Sequence, residues 1–211
     1  MTTQIIGLTR QAGVSMIETL FVFPIMILIG LGIVHLGLVY QAKSNLEYAA
    51  LMAARVGAVN HANVQLMIAE AVKRMAPSAI GSDIPTAAKF NLVILNPTAA
   101  MFQSSCAVTP LDPSVCDVKT PCALPNFGLQ YRPTTPDCAG VSIQDANILR
   151  IQLTYRFNSH VPFMNMRLFT HDTGNKPDGS GAGVPITAVA TVRMQTDAYY
   201  NSTNFAAYAT N

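Results

Sequence analysis

Four cysteines, Cys106, Cys116, Cys122 and Cys138, fall within 33 residues of one Pro-rich stretch. Nine, five and fifteen residues separate successive members, with no CxxC pair and no histidine inside the segment. Zinc sites draw ligands in close pairs, so this spacing argues against a metal. An even count in a loop-rich region outside the cytoplasm predicts two disulfides, with three connectivities open and free thiols as the competing reading. The four histidines, His35, His61, His160 and His171, are scattered, and no HExxH, GxSxG or Walker-type motif appears. His35 lies in an apolar run where a proton relay would be imaginable, but one span supplies no set of partners. The stretch 171–181 carries oxygen ligands in the manner of a calcium loop. It lacks the alternating acids and closing Glu of an EF-hand, and Lys176 sits at its middle. Gly and Pro there suit a connection between strands equally well. Asn201-Ser202-Thr203 matches the N-glycosylation sequon, which matters only in a cell that glycosylates exported chains. With no nucleotide, flavin or haem motif, the sequence predicts no enzyme, no cofactor and no metal.

One carboxylate is out of place. From Thr19 to Ala42 there is no charged residue, and Leu20 to Tyr40 is almost wholly apolar. That run exceeds the roughly 20 residues that cross a bilayer. Its breaks, Pro24, Gly30, Gly32, Gly37 and His35, are of a kind that membrane helices tolerate. Glu18 stands at its very beginning, where a carboxylate is costly unless paired or held at the interface. It is therefore a functional candidate, with snorkelling to the headgroups as the plain alternative. The leader 1–13 has Arg10 as its only charged side chain, which favours a cytoplasmic N-terminus and places residues beyond about Tyr40 outside. Lys43, near the other end, weakens that bias. An ordinary secretory signal has a shorter apolar core, about 7–15 residues, with its cleavage site after that core.

Composition agrees with an anchor. Of 211 residues, 50% are hydrophobic and only 11% charged, against about a quarter charged in soluble domains. A net charge of +2 with no Lys/Arg cluster gives no reason to expect a nucleic-acid partner. Length allows one domain plus the anchor.

The apolar helix is expected to continue beyond the membrane, because Gln41–Val56 holds good helix formers and no Pro. A helix from Val14 to Val56 would be roughly 65 Å long at about 1.5 Å per residue. Leu46, Ala49, Ala50, Ala53 and Ala54 form a small-residue stripe at 3–4 spacing. Such a stripe suits either another helix or the protein's own sheet. Residues 57–62 loosen the pattern, and Asn63 is placed to cap a second helix, Val64–Met75, ended by Ala76-Pro77. Val64, Met67, Ile68, Ala71, Val72 and Met75 share one face of that helix. A Ser-, Gly- and Pro-containing connector, 78–88, follows it. Strand patterns then occupy 89–95, 148–157 and 186–196, the last two alternating strictly, which suits an antiparallel sheet covering a helix. The cysteine loop 96–146 is too long to stay ordered without crosslinks. The tail from Tyr199 is polar and aromatic and reads as loose, and no internal repeat is present. The expected class is α+β. It comprises a leader 1–13, a transmembrane helix 14–40, an extracytoplasmic helical region 41–76, and an antiparallel β-rich head 77–211.

The string Arg10-Gln11-Ala12-Gly13-Val14-Ser15-Met16-Ile17-Glu18-Thr19-Leu20 resembles the prepilin signal of type IV pilins. Such a signal has a basic leader, a glycine, and an apolar helix with Glu at its fifth position. The resemblance implies cleavage between Gly13 and Val14 by a prepilin peptidase on the cytoplasmic face, leaving the helix in the mature chain. Glycine suits a protease that needs close backbone approach. It also implies that Glu18 pairs with the freed Val14 amine of a neighbouring subunit, a contact strong in low dielectric and dependent on geometry. More narrowly, 13–59 is similar to the TadE-like family of minor pilins, through Glu18, Pro24, the 30–37 stretch Gly-Leu-Gly-Ile-Val-His-Leu-Gly, and the Ala-rich Leu46–Arg55. His35 and Leu38 stand where members often carry an acidic and a basic residue. The family implies a minor pilin or pseudopilin of a Tad or type IV-related pilus or secretion apparatus. A head this long suits a tip, priming or assembly component. Implied partners are the prepilin peptidase, other pilin subunits through the helix, the inner-membrane assembly platform and the lipid bilayer. The alternatives are a signal-anchored extracytoplasmic binding protein that is not processed as a pilin, and a secreted or anchored hydrolase with an unrecognised site.

Overall fold

A computed structural model describes residues 14–79, 84–116, 121–157, 161, 184–200 and 207. Val14–Val59 forms one helix of 46 residues, α1, with Pro24 inside it. At about 1.5 Å per residue it is roughly 69 Å long. It runs three residues past the expected end at Val56, because Gly57 and Ala58 are buried in the head and keep the helical path. The chain leaves the helix where His61 and Ala62 take left-handed backbone angles, φ 56° and 59°.

The two halves of α1 have different surroundings. Every residue from Met16 to Gly30 is exposed, whereas Ala42, Leu46, Ala49, Ala50, Ala53, Ala54 and Ala58 are at most 1% exposed. Their small side chains let α2 (Val64–Met75) and the sheet lie close against the helix. The small-residue stripe is thus occupied by the protein's own second helix and sheet.

Asn63 caps α2 as its position suggests, its Oδ1 accepting from the backbone N–H groups of Gln65 at 3.0 Å and Leu66 at 3.2 Å. Met67, Ala71 and Met75 are the buried side of α2. On its outer side Arg74 donates through Nε to Glu70 at 2.7 Å and lies over the Tyr48 ring of α1, 5.8 Å from the centroid. The helix does not stop abruptly at Pro77 but passes into a 3-10 turn, Ala76–Ser78.

Three antiparallel strands form the main sheet in the order β1 (Phe90–Asn96), β3 (Ile148–Phe157) and β4 (Val184–Arg193). Strict alternation puts Leu149, Ile151, Leu153, Tyr155 and Phe157 inside, each at most 2% exposed, with Ile186, Ala188 and Ala190 beside them. β1 begins one residue later than its pattern suggests, and its register slips between Ile94 and Asn96. β4 lies earlier than the expected 186–196, because its last residues are used elsewhere. Met194 N–H donates to Asn147 O, and Gln195 and Thr196 N–H both donate to Ala58 O. Those bonds cap the end of α1 and end the ladder.

The segment 96–146 is more structured than a loop. It contains 3-10 turns at Ala99–Gln103, Pro113–Val115 and Leu129–Tyr131, a two-residue strand β2 (Ala123–Leu124), and a short helix α3 (Ile143–Ala146). β2 pairs with β5 (Ala198–Tyr199), so the tail expected to be loose begins in a strand. Tyr200 then stacks on Phe102 with ring centroids 5.3 Å apart. A two-residue strand carries no periodicity, which is why its pattern is invisible in the sequence.

Candidate functional site

Glu18 sits four residues, one helical turn, after Val14 on α1. Side chains on a helix lean toward its N-terminus, so the Glu18 carboxylate leans toward the turn that begins at Val14. It is exposed, and so are its apolar neighbours Met16, Ile17, Leu20 and Phe21. Gly13 and the rest of the leader lie outside the described residues.

Between Met16 and Leu36, fourteen large apolar side chains are exposed. The most apolar window of the helix has a mean hydropathy of 2.5 and none of it is buried within the protein. Each such side chain forgoes about 1.5–3 kcal/mol if left in water. A core helix of a soluble protein would be mostly buried; this half-helix needs lipid or other helices around it. It is long and apolar enough to cross a membrane.

The head begins where the exposure ends. Leu38 and Val39 pack against the core, and Leu38, Gln41 and Ala42 meet Pro77, Ser78 and Phe157 around a small cavity of about 50 Å³. Leu38, at a position often basic in the resembled family, thus contributes packing to the lower edge of the head.

The cysteines form two bridges, Cys106–Cys138 and Cys116–Cys122, with Cα separations of 5.5 and 5.6 Å. That selects one of the three connectivities left open. Cys138 and Val141 exchange backbone hydrogen bonds at 3.0 and 3.1 Å, and Tyr200 N–H donates to Cys122 O at 2.8 Å. The bridged segment is therefore tied to β5, beside the C-terminal end of α1. From Glu18 to that end is roughly 60 Å along the helix at about 1.5 Å per residue. The carboxylate and the disulfides belong to opposite ends of the molecule.

His61 marks the turn between α1 and α2. Its N–H donates to Thr196 Oγ1 at 3.1 Å, its Nδ1 lies 2.8 Å from Asp197 O, and its ring stacks on Tyr199 at 4.3 Å with planes 4° apart. These contacts fasten the helix turn to the C-terminal segment. Burial raises the Tyr199 phenol above its ordinary value, with the negative charges of Asp197 and Asp112 adding to the effect. His160, His171, the stretch 171–181 and Asn201 lie outside the described residues. Among the described residues no group of three or more His, Cys, Asp or Glu converges as a metal site would.

The structure also assembles a groove that no spacing in the sequence announces. The turn at 126–131 exposes Phe127 and Tyr131 opposite Arg193 and Gln195, just past the sheet. Two large aromatic side chains in a cysteine-rich, Gly- and Pro-containing stretch were the available signal.

A family model described as TadE-like protein matches residues 13–55. No curated protein and no solved structure matches the chain. From the glycine before the helix to the buried half of α1, residues 13–55 match the TadE-like proteins, a family of Tad pilus systems.

Proposed function

We propose that this chain is a minor pilin or pseudopilin, a structural or assembly component of a Tad pilus. It is cut after Gly13 and held in the inner membrane by the first half of α1 before assembly. The observation that carries this reading is one continuous helix with two environments. An apolar half exposed from Met16 to Gly30 among the described residues continues, without a break, into a half buried under the head. Such a helix can leave lipid for a bundle of like helices without unfolding the head, since the packing of the head does not involve the 16–36 segment. Glu18, at the fifth position from Val14, would set register by pairing with the freed amine of a neighbour. Two disulfides in the head favour an oxidising compartment, periplasmic or extracellular, with Arg10 and the leader on the cytoplasmic side. The work assigned is assembly and not catalysis.

Intact mass and N-terminal sequencing of the membrane-extracted protein, with and without a prepilin peptidase, test the proposal. A mature start at Val14, lost on Gly13→Leu, is expected. A chain that keeps its leader in peptidase-positive cells would replace this reading by the signal-anchored binding protein.

A further inference from the structure

We propose that the head binds a carboxylated saccharide in the groove between the turn at 126–131 and the end of β4. The inference does not depend on how the N-terminus is processed. The groove is shallow, with a volume of about 500 Å³, and open to solvent. Leu129 and Met194 also line it but are buried; its exposed apolar contribution is two rings, Phe127 at 89% and Tyr131 at 85% exposure. Both belong to one turn whose path depends on Gly128 at φ 67°, a left-handed angle that glycine adopts without strain. The turn is pinned from below. Asn126 N–H donates to Asp197 Oδ1 at 2.7 Å, and Gln144 Nε2 donates to Leu129 O at 2.9 Å and to Arg132 O at 3.1 Å. The rings are thus exposed on a backbone that is held, not on a free tip.

Beside the rings the lining carries polar side chains. Asn126, Gln130 and Gln195 bring neutral amides, each able to donate and accept, and Arg193 brings a guanidinium. Arg193 makes no ion pair among the described residues. Sugars present apolar C–H faces that stack on aromatic rings, and hydroxyl edges that amides can bind from either role. A planar guanidinium grips a carboxylate with two parallel hydrogen bonds, which favours an acidic sugar over a neutral one. A protein partner would call for a contiguous apolar centre shielded by a polar rim. Here the exposed apolar side chains of the lining are only the two rings, and the others that reach solvent are amides and a guanidinium. The groove also lies beside the C-terminal end of α1, the end remote from the apolar half-helix, where an extended ligand has access.

The test uses the full-length protein in lipid nanodiscs, because glycoside detergents would compete. Galacturonic-acid tetramer is titrated by calorimetry at low and physiological salt, beside its methyl ester and the neutral cellotetraose. Expected are saturable binding of the acid form, at least about 10-fold weaker binding of the ester and the neutral sugar, and a loss of at least about 10-fold in Arg193→Gln. Tyr131→Ala, at an exposed ring, is expected to weaken binding similarly with an unchanged melting temperature, which separates loss of the site from loss of the fold. Absence of binding by all three sugars overturns the proposal. So does binding that persists in both variants, or association of the protein with itself through Phe127 and Tyr131.

Discussion

Gly57 of α1 and Met67 of α2 approach so closely that a Cβ on the glycine would fall 2.4 Å from the Met67 Sδ. The same Cβ would also lie 3.0 Å from Met67 Cγ and from Leu149 Cδ2, and both of those side chains are fully buried. The glycine is therefore where helix, helix and sheet converge.

Gly57→Ala is expected to destabilise the head by about 1 kcal/mol. Overpacking in a tight core costs about 1–3 kcal/mol, while alanine in a helix returns about 1 kcal/mol over glycine. Met67→Ala should cost less in the Gly57→Ala background than in the native chain, a double-mutant coupling that urea unfolding followed by circular dichroism can read. A neutral or stabilising Gly57→Ala would show that Met67 moves aside freely.

Elements with a strong local signal were legible. The two helices, the Asn63 cap and the span of β3 could be read because period, cap chemistry and alternation all act over neighbouring residues. The errors lie where distant residues decide. β4 ends at Arg193 because Ala58 O recruits Gln195 and Thr196, and β2 forms where Ala198 and Tyr199 come alongside it on one edge and Val108 bridges Ala123. The pairing of the cysteines was open for the same reason. The candidate site divides in the same way: Glu18 stands out against an apolar run, whereas Arg193 meets Tyr131 only after the sheet is built.

The two disulfides should contribute unequally. Cys106–Cys138 spans 32 residues and Cys116–Cys122 spans 6. Loop-closure entropy then gives roughly 4 kcal/mol for the first and roughly 2 kcal/mol for the second. The Cys106→Ser/Cys138→Ser protein should have the lower urea midpoint of the two double-serine variants. Equal midpoints would mean that the native contacts of the loop, and not its covalent closure, govern its order.

Alkaline pH should loosen the C-terminal segment through Tyr199. Its phenol is raised in the fold by burial first, then by Asp197 and Asp112. A raised folded value means the neutral form is favoured by folding. The contribution is complete below the ordinary phenol value of about 10, and is lost as pH rises through the raised one. Ultraviolet titration should include a phenol that ionises above the ordinary value and is missing from Tyr199→Phe, together with faster amide exchange at Ala123 and Leu124. If the difference between the native chain and Tyr199→Phe is a phenol of ordinary value, Tyr199 is not shielded by the fold.

If α1 is processed and assembled as proposed, the role of Glu18 can be separated from membrane insertion. A carboxylate near the edge of the hydrocarbon is costly, so Glu18→Ala should insert at least as well as the native chain. Cleavage after Gly13 should also proceed, since the carboxylate lies beyond the bond to be cut. What should fail is co-assembly, because a neighbour's Val14 amine would be left buried without its partner. Glu18→Ala and Glu18→Gln are expected to lower the amount of this protein in sheared filaments by about 10-fold or more, with Glu18→Asp intermediate. The membrane fraction supplies the control, read by quantitative mass spectrometry of the same cells. If the alanine variant enters filaments at the native level, Glu18 is an interfacial residue and the register of α1 is set by its apolar packing alone.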